Sequence, residues 1–220
     1  MKSEIDIDLP DVTLGANLVQ PENPKDLVIF AHGSGSSRSS PRNNYVADIL
    51  NNRNISTLLT DLLTTFEDEV YENRFDIALL SERLVKVTEW AIEQISFNEL
   101  PVGYFGASTG AASALQATVF LETDIKAIVC RGGRPDLASG LSEVKAPTLL
   151  IIGSLDTPVI ALNKQAYDQL ACEKKIEIVE GASHLFEEPD TLRIAANLAA
   201  DWFEKHLSPG TFTKRSSSKH

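Results

Sequence analysis

The run Leu27-Val28-Ile29-Phe30-Ala31 is apolar at every position and ends at His32-Gly33, so a strand there has both of its faces covered. Short, mostly apolar runs recur at residues 55–59, 102–105, 125–129, 147–152 and 176–179. The segments between them have a different period. Residues 76–95 place Ile77, Leu80, Leu84, Val87 and Ala91 at three- and four-residue intervals, which predicts one long amphipathic helix. Shorter helices are expected over 43–52 and 111–121, and a closing helix over 192–206. Strands that alternate with helices form βαβ units, which demand a parallel sheet with helices packed against it. Residues 5–9 and 12–18 read as a strand pair placed ahead of that alternation. The expected class is α/β: a mostly parallel central sheet with an N-terminal antiparallel strand pair, helices on both faces and no large cap domain. In open sheets of this type, ligands sit beyond the carboxyl ends of the strands.

The chain of 220 residues is long enough for one such domain, expected over 1–207. Residues 208–220 lack any period and read as a flexible C-terminal tail. Acidic residues outnumber basic ones, 31 to 20, and the net charge of −11 sets up a field that repels phosphate backbones and anionic lipid. Neither nucleic acid nor a membrane is therefore an expected partner. No stretch approaches the roughly 18–20 apolar residues of a membrane span. Residues 1–10 carry Glu4, Asp6 and Asp8 where an export signal needs a basic start and an apolar core, which points to a cytoplasmic protein. The two cysteines, Cys130 and Cys172, fit a reducing compartment, lack metal-ligand spacing and are expected to do no chemistry. No metal and no organic cofactor is implied.

The strongest local signal is Gly106-Ala107-Ser108-Thr109-Gly110, a G-x-S-x-G pattern between a predicted strand and a predicted helix. That placement is more specific than the five letters, because small flanking residues permit a sharp turn that lifts a serine hydroxyl clear of the sheet edge. A serine hydroxyl is a weak nucleophile that needs a base, and the base needs an orienting acid. His184 and Asp156 can fill those roles, since each follows a different predicted parallel strand and the chain order is Ser, Asp, His. Ser108 and Asp156 could instead be helix N-caps, and His184 a structural loop residue. An oxyanion hole should combine the N–H of Thr109 with one from His32-Gly33-Ser34-Gly35, most naturally that of Ser34. As a phosphate-cradling loop this stretch lacks the required G-K-[ST] ending.

Together these residues resemble the α/β-hydrolase fold, and within it the dienelactone-hydrolase-like family of small enzymes. The similarity extends over about residues 27–207. It includes Ala31-His32-Gly33-Ser34-Gly35-Ser36-Ser37-Arg38, Arg131-Gly132-Gly133-Arg134-Pro135-Asp136 and His184-Leu185-Phe186-Glu187-Glu188-Pro189, which look like a subgroup also found fused to phosphoribosyltransferase domains. Dienelactone hydrolases proper use a cysteine nucleophile, where this chain has Ser108. The resemblance therefore implies a fold and a Ser108, His184, Asp156 triad rather than a lactone substrate. The expected activity is hydrolysis of a small carboxylic ester, thioester or lactone through an acyl-enzyme. The alternative is a hydrolase-fold binding or sensing protein with negligible turnover.

Two features bear on the substrate. Arg38 and Arg42 lie beyond the oxyanion loop, and Arg131 and Arg134 follow the strand beside the serine. Arg38, Arg131 and Arg134 are candidates to bind an anionic substrate, unless local acids such as Asp136 pair with them. Residues 131–146 leave room for a turn and one short helix but no cap, which favours an open site and small acyl groups.

Overall fold

The computed structural model of the chain describes residues 2–94, 100–121 and 124–207. Its strands are β1 (Lys2–Asp8), β2 (Thr13–Val19), β3 (Leu27–Ala31), β4 (Ser56–Thr60), β5 (Val102–Ala107), β6 (Ala127–Arg131), β7 (Thr148–Gly153) and β8 (Lys174–Val179). They form one sheet in the order β1-β2-β4-β3-β5-β6-β7-β8. β1 pairs with β2, and β2 with β4, antiparallel; every later pairing is parallel. The expected α/β class and opening strand pair are both present.

The helices are α1 (Pro41–Asn52), α2 (Thr65–Glu69), α3 (Ile77–Glu93), α4 (Thr109–Phe120), α5 (Thr157–Gln169) and α6 (Thr191–Leu207). Side chains of α3, α4 and α5 share one apolar core with one face of the sheet. Those of α1 and α6 share a second core with the other face. Full burial of β3, β5, β6 and β7 explains why their sequences are apolar without alternation. The chain moves from β3 outward to β4, then returns past β3 to β5. The crevice beyond the carboxyl ends of β3 and β5 is thus a topological switch point, where loops leave in opposite directions and open a site.

The structure corrects some local expectations. α2 and a 3₁₀ turn over Tyr71–Phe75 occupy a stretch without a legible period; α2 is held by a Thr64–Glu67 capping box rather than by a buried face. β6 runs to Arg131, two residues past the expected end, so Arg131 is a strand residue. The following segment forms two 3₁₀ turns, Pro135–Leu137 and Gly140-led Leu141–Glu143, instead of one short helix. Gly132 and Gly140 at positive φ break any helical run there. The tail expected over 208–220 and the last residue of the helix expected over 76–95 lie outside the described residues.

Candidate active site

Ser108 is the single residue between the end of β5 and the start of α4, so it makes the whole turn alone. Its backbone sits at φ +52°, ψ −122°, a region that costs a non-glycine residue roughly 1–3 kcal/mol. Surrounding bonds enforce it: the Ser108 amide donates to the Arg131 carbonyl (3.2 Å), and the Ser108 carbonyl accepts from the amides of Ala111 (3.1 Å) and Arg134 (2.9 Å). The glycines of the motif are there for space. A Cβ on Gly106 would stand 2.6 Å from Ala111 Cα, and one on Gly110 would stand 2.2 Å from the Ala31 carbonyl oxygen. Only glycine lets α4 start this close to β3 and β5.

Ser108 and Asp156 both occupy N-cap positions, of α4 and α5, and neither side chain makes a capping hydrogen bond. The capping explanation for these residues is thereby removed. Asp156 Oδ2 lies 2.6 Å from His184 Nδ1. A carboxylate only accepts, so Nδ1 carries a proton, and in the neutral ring Nε2 is the nitrogen left to accept one. Asp156 is nearly covered, its side chain 12% exposed against 38% for the imidazole, which gives the orienting contact a drier setting than the ring edge. The loop that carries His184 is fixed by Phe186 and Asp190 at positive φ and by the Ser183 amide, which donates to Glu188 Oε2 at 2.9 Å. Hydrogen bonds from the Ser183 amide and hydroxyl hold the Glu188 carboxyl below its usual range.

Ser108 and His184 line one cleft of about 200 Å³ at the switch point, together with Gly33 and Ser34. Gly33 abuts the serine so closely that a Cβ there would meet Ser108 Cβ at 2.9 Å. Among the described residues no hydrogen bond joins Ser108 to His184; such contacts commonly tighten only when substrate is present. Of the two expected oxyanion donors, Thr109 heads α4, where its N–H has no acceptor within the helix. The Ser34 amide already donates to Thr109 Oγ1 at 2.8 Å. That engagement was not visible in the sequence.

His32 also has a part that sequence reasoning missed. Its Nδ1 meets the Gly33 carbonyl at 3.0 Å, and its Nε2 accepts the Leu62 amide at 3.1 Å. The buried ring is a neutral strut beneath the oxyanion loop, and burial lowers its pKa.

The arginines divide. Arg38 makes a salt bridge to Asp61, whose other oxygen accepts the Arg38 amide, and its guanidinium lies against Gly15 of β2, away from the cleft. Arg134 is held in a fork by both oxygens of Asp136, at 2.9 Å each. Neither lines the cleft, and each has a carboxylate of its own. Arg131 does line it, as do Arg42 and Asn43, which head α1. Only 6% of Arg131 is exposed. Among the described residues there is no group of metal-binding side chains, and no helix is long and apolar enough to cross a membrane.

No family model matches the chain. The chain is similar to a dienelactone hydrolase from Anabaena variabilis of known crystal structure, with 49% identity, a TM-score of 0.90, and coverage of 94% of this chain and 98% of that one. It shares its fold with an α/β serine hydrolase without a lid from Xanthomonas campestris (19% identity, TM-score 0.76, covering 94% and 96%). It does so too with Est1E from Butyrivibrio proteoclasticus (15%, 0.77, covering 92% and 98%). Among curated proteins it is 49% identical, over 94% of its length, to a Mycobacterium tuberculosis protein named as a phosphoribosyl transferase. The chain spans about half the length of the curated relatives it matches, 47%.

Proposed function

The chain belongs to the dienelactone hydrolase family of α/β hydrolases, and from that membership we propose that it is a serine hydrolase cleaving a small carboxylic ester, thioester or lactone. The observation that carries the reading is the pairing of His184 Nδ1 with Asp156 at 2.6 Å, where His184 and Ser108 line one cleft and Ser108 and Asp156 both forgo helix capping. In this reading Ser108 Oγ attacks the carbonyl carbon as His184 Nε2 takes the hydroxyl proton. Asp156 holds the ring in the tautomer that can accept it and stabilises the imidazolium that forms. The tetrahedral intermediate collapses, His184 returns the proton to the leaving oxygen or sulfur, and the acyl group stays on Ser108. Water then enters by the same steps in reverse order and releases the acid.

The developing oxyanion takes the free N–H of Thr109 at the positive end of α4. Ser34 supplies the second donor by turning its N–H from Thr109 Oγ1 to the substrate oxygen, since a charged oxygen is a far better acceptor than a hydroxyl. A cleft of about 200 Å³ is smaller than the roughly 300–1,000 Å³ of pockets that enclose drug-sized ligands. Together with the absence of a cap over residues 132–147, this favours short acyl groups. The free thiols of Cys130 and Cys172 accord with a cytoplasmic setting.

The test is covalent labelling with a fluorophosphonate followed by peptide mass spectrometry. The expected result is rapid, stoichiometric modification at Ser108, slowed by at least a hundredfold in His184→Ala. An unlabelled Ser108 in folded protein would favour a binding protein on a hydrolase fold.

A further inference from the structure

The sheet has two open edges, β1 and β8, and they are not equivalent. β8 pairs only with β7, in parallel, so the backbone groups along its other side have no partner strand. The phase of the strand is fixed by its ends. The carbonyls of Glu173 and Val179 accept the amides of Thr148 and Ser154, at 2.8 and 2.9 Å, so the odd-numbered residues of β8 turn their backbone towards β7. The N–H and C=O groups of Lys174, Ile176 and Ile178 therefore point away from the sheet, and no other strand of the chain covers them. Ile178 is 43% exposed, an apolar side chain on an uncovered edge. An edge of this kind is a template for a further strand.

The residues along β8 say which strand fits. Lys174-Lys175-Ile176-Glu177-Ile178 is complementary to itself in the reverse direction. Laid antiparallel on a second copy with a two-fold axis at Ile176, the two Ile176 residues exchange both backbone hydrogen bonds, and Lys174 and Ile178 do the same on either side. Lys175 then falls opposite Glu177 at the non-hydrogen-bonded positions, where facing side chains stand closest. Within one chain these two already share a face and pair at 2.5 Å, so a second copy completes a ring of four alternating charges. An axis at Lys175 or at Glu177 would set like charges against each other, which selects the register. The Lys174 ammonium is held by the Tyr167 and Leu170 carbonyls, at 2.5 and 2.6 Å, which leaves its aliphatic stem to cover Ile178 of the partner subunit. At the other edge Glu4, Asp6 and Asp8 share one face of β1, and a self-pairing centred anywhere from Glu4 to Asp8 sets acid against acid. Copies that each carry a net charge of −11 need local complementarity to associate, and β8 has it. We propose that β8 is the interface of a homodimer, in which two copies join their sheets through an antiparallel β8–β8 pair. The strands of the two sheets then run in opposite directions, so the two catalytic clefts open on opposite sides of the dimer.

Analytical ultracentrifugation of the full chain at about 1–100 μM tests the interface. The wild type should sediment as a dimer, at twice the 24.0 kDa of one chain. Lys175→Glu and Glu177→Lys each turn two symmetric attractions into repulsions, and each should raise the dissociation constant by about tenfold or more. Mixed in equal amounts, these two variants should form a dimer again, because each supplies the charges that the other lacks. Ile176→Pro deletes an N–H that points out of the sheet, so the bonds to β7 survive while the central pair of the dimer is lost, and this variant should sediment as a monomer. Asp6→Lys on β1 should leave the dimer unchanged. Circular dichroism melts report whether each variant is folded, and if Ile176→Pro is not, the charge variants on the surface decide the matter alone. A wild type that stays monomeric over the whole range overturns the proposal, since Lys174 and Lys175 would then guard the edge against pairing. A dimer that survives both charge reversals overturns it too, as does a mixture of the two variants that fails to associate.

Discussion

Lowering the pH should weaken the fold through His32, and the structure fixes the sign. The ring is buried, with Nδ1–H donating to the Gly33 carbonyl and Nε2 accepting the Leu62 amide. Burial is the main cause of its lowered pKa, opposed by the Gly33 carbonyl and the carboxylates of Asp61 and Asp68. A proton on Nε2 would set two N–H groups against each other and orphan the Leu62 donor, a loss on the order of 1–3 kcal/mol. Between the folded value and the unfolded value of 6.5, the unfolded chain binds the proton and the folded one does not. The contribution of His32 is therefore complete above pH 6.5 and is lost as pH falls from there through the folded value, at about 1.4 kcal/mol per pH unit. Urea unfolding at intervals from pH 7.5 to 4.5, in wild type and His32→Gln, isolates the effect. The wild type should lose about 1–3 kcal/mol more than the variant over that range. Parallel curves would mean that His32 is protonated as readily in the folded protein as in the unfolded one, and the neutral-strut account would be wrong.

Other expectations are more direct. Asp156→Asn should preserve the melting temperature within a few degrees and lower kcat by roughly 10⁴, as expected when the orienting carboxylate is lost, measured by ester hydrolysis alongside thermal melts. Gly110→Ala drives a methyl group to 2.2 Å from the Ala31 carbonyl oxygen, so destabilisation of about 1–3 kcal/mol or more is expected, read as a melting point about 2–4 °C lower per kcal/mol. Burial pushes the Cys130 thiol pKa up and keeps it inert. Thiol alkylation of native protein, and Cys130→Ala or Cys172→Ala, should all leave turnover in place; inactivation by alkylation would point to cysteine chemistry instead.

The parts of this chain that were legible in its sequence are those specified locally. An uninterrupted apolar run needs no partner to be read as a covered strand, and Gly106 to Gly110 state their own requirement for close approach. Ser108, Asp156 and His184 could be named because each lies in the connection after a different strand, and strand ends converge in a parallel sheet. Long-range partnerships were not legible. Arg38 finds Asp61 across 23 residues of chain, and nothing in its neighbourhood announces that. Arg134 pairs two residues away, and the sequence offered Asp136 as a competitor for it without showing which would win. His32 looked like a residue before a glycine turn until Leu62, 30 residues on, supplied the donor that fixes its protonation state. Burial of Arg131 came from β6 running two residues longer than its apolar run, which draws the guanidinium between Phe105 and Phe186.

If Ser108 is the nucleophile, it carries an acyl group during turnover. Pre-steady-state hydrolysis of 4-nitrophenyl acetate, quenched in acid and examined by intact mass and peptide mapping, tests it in one experiment. A 4-nitrophenolate burst stoichiometric with enzyme is expected, with an added acetyl mass confined to the peptide bearing Ser108, both absent in Ser108→Ala. Turnover by Ser108→Ala at the wild-type rate, or an acetyl group located on Cys130, Cys172 or any other residue, would contradict it.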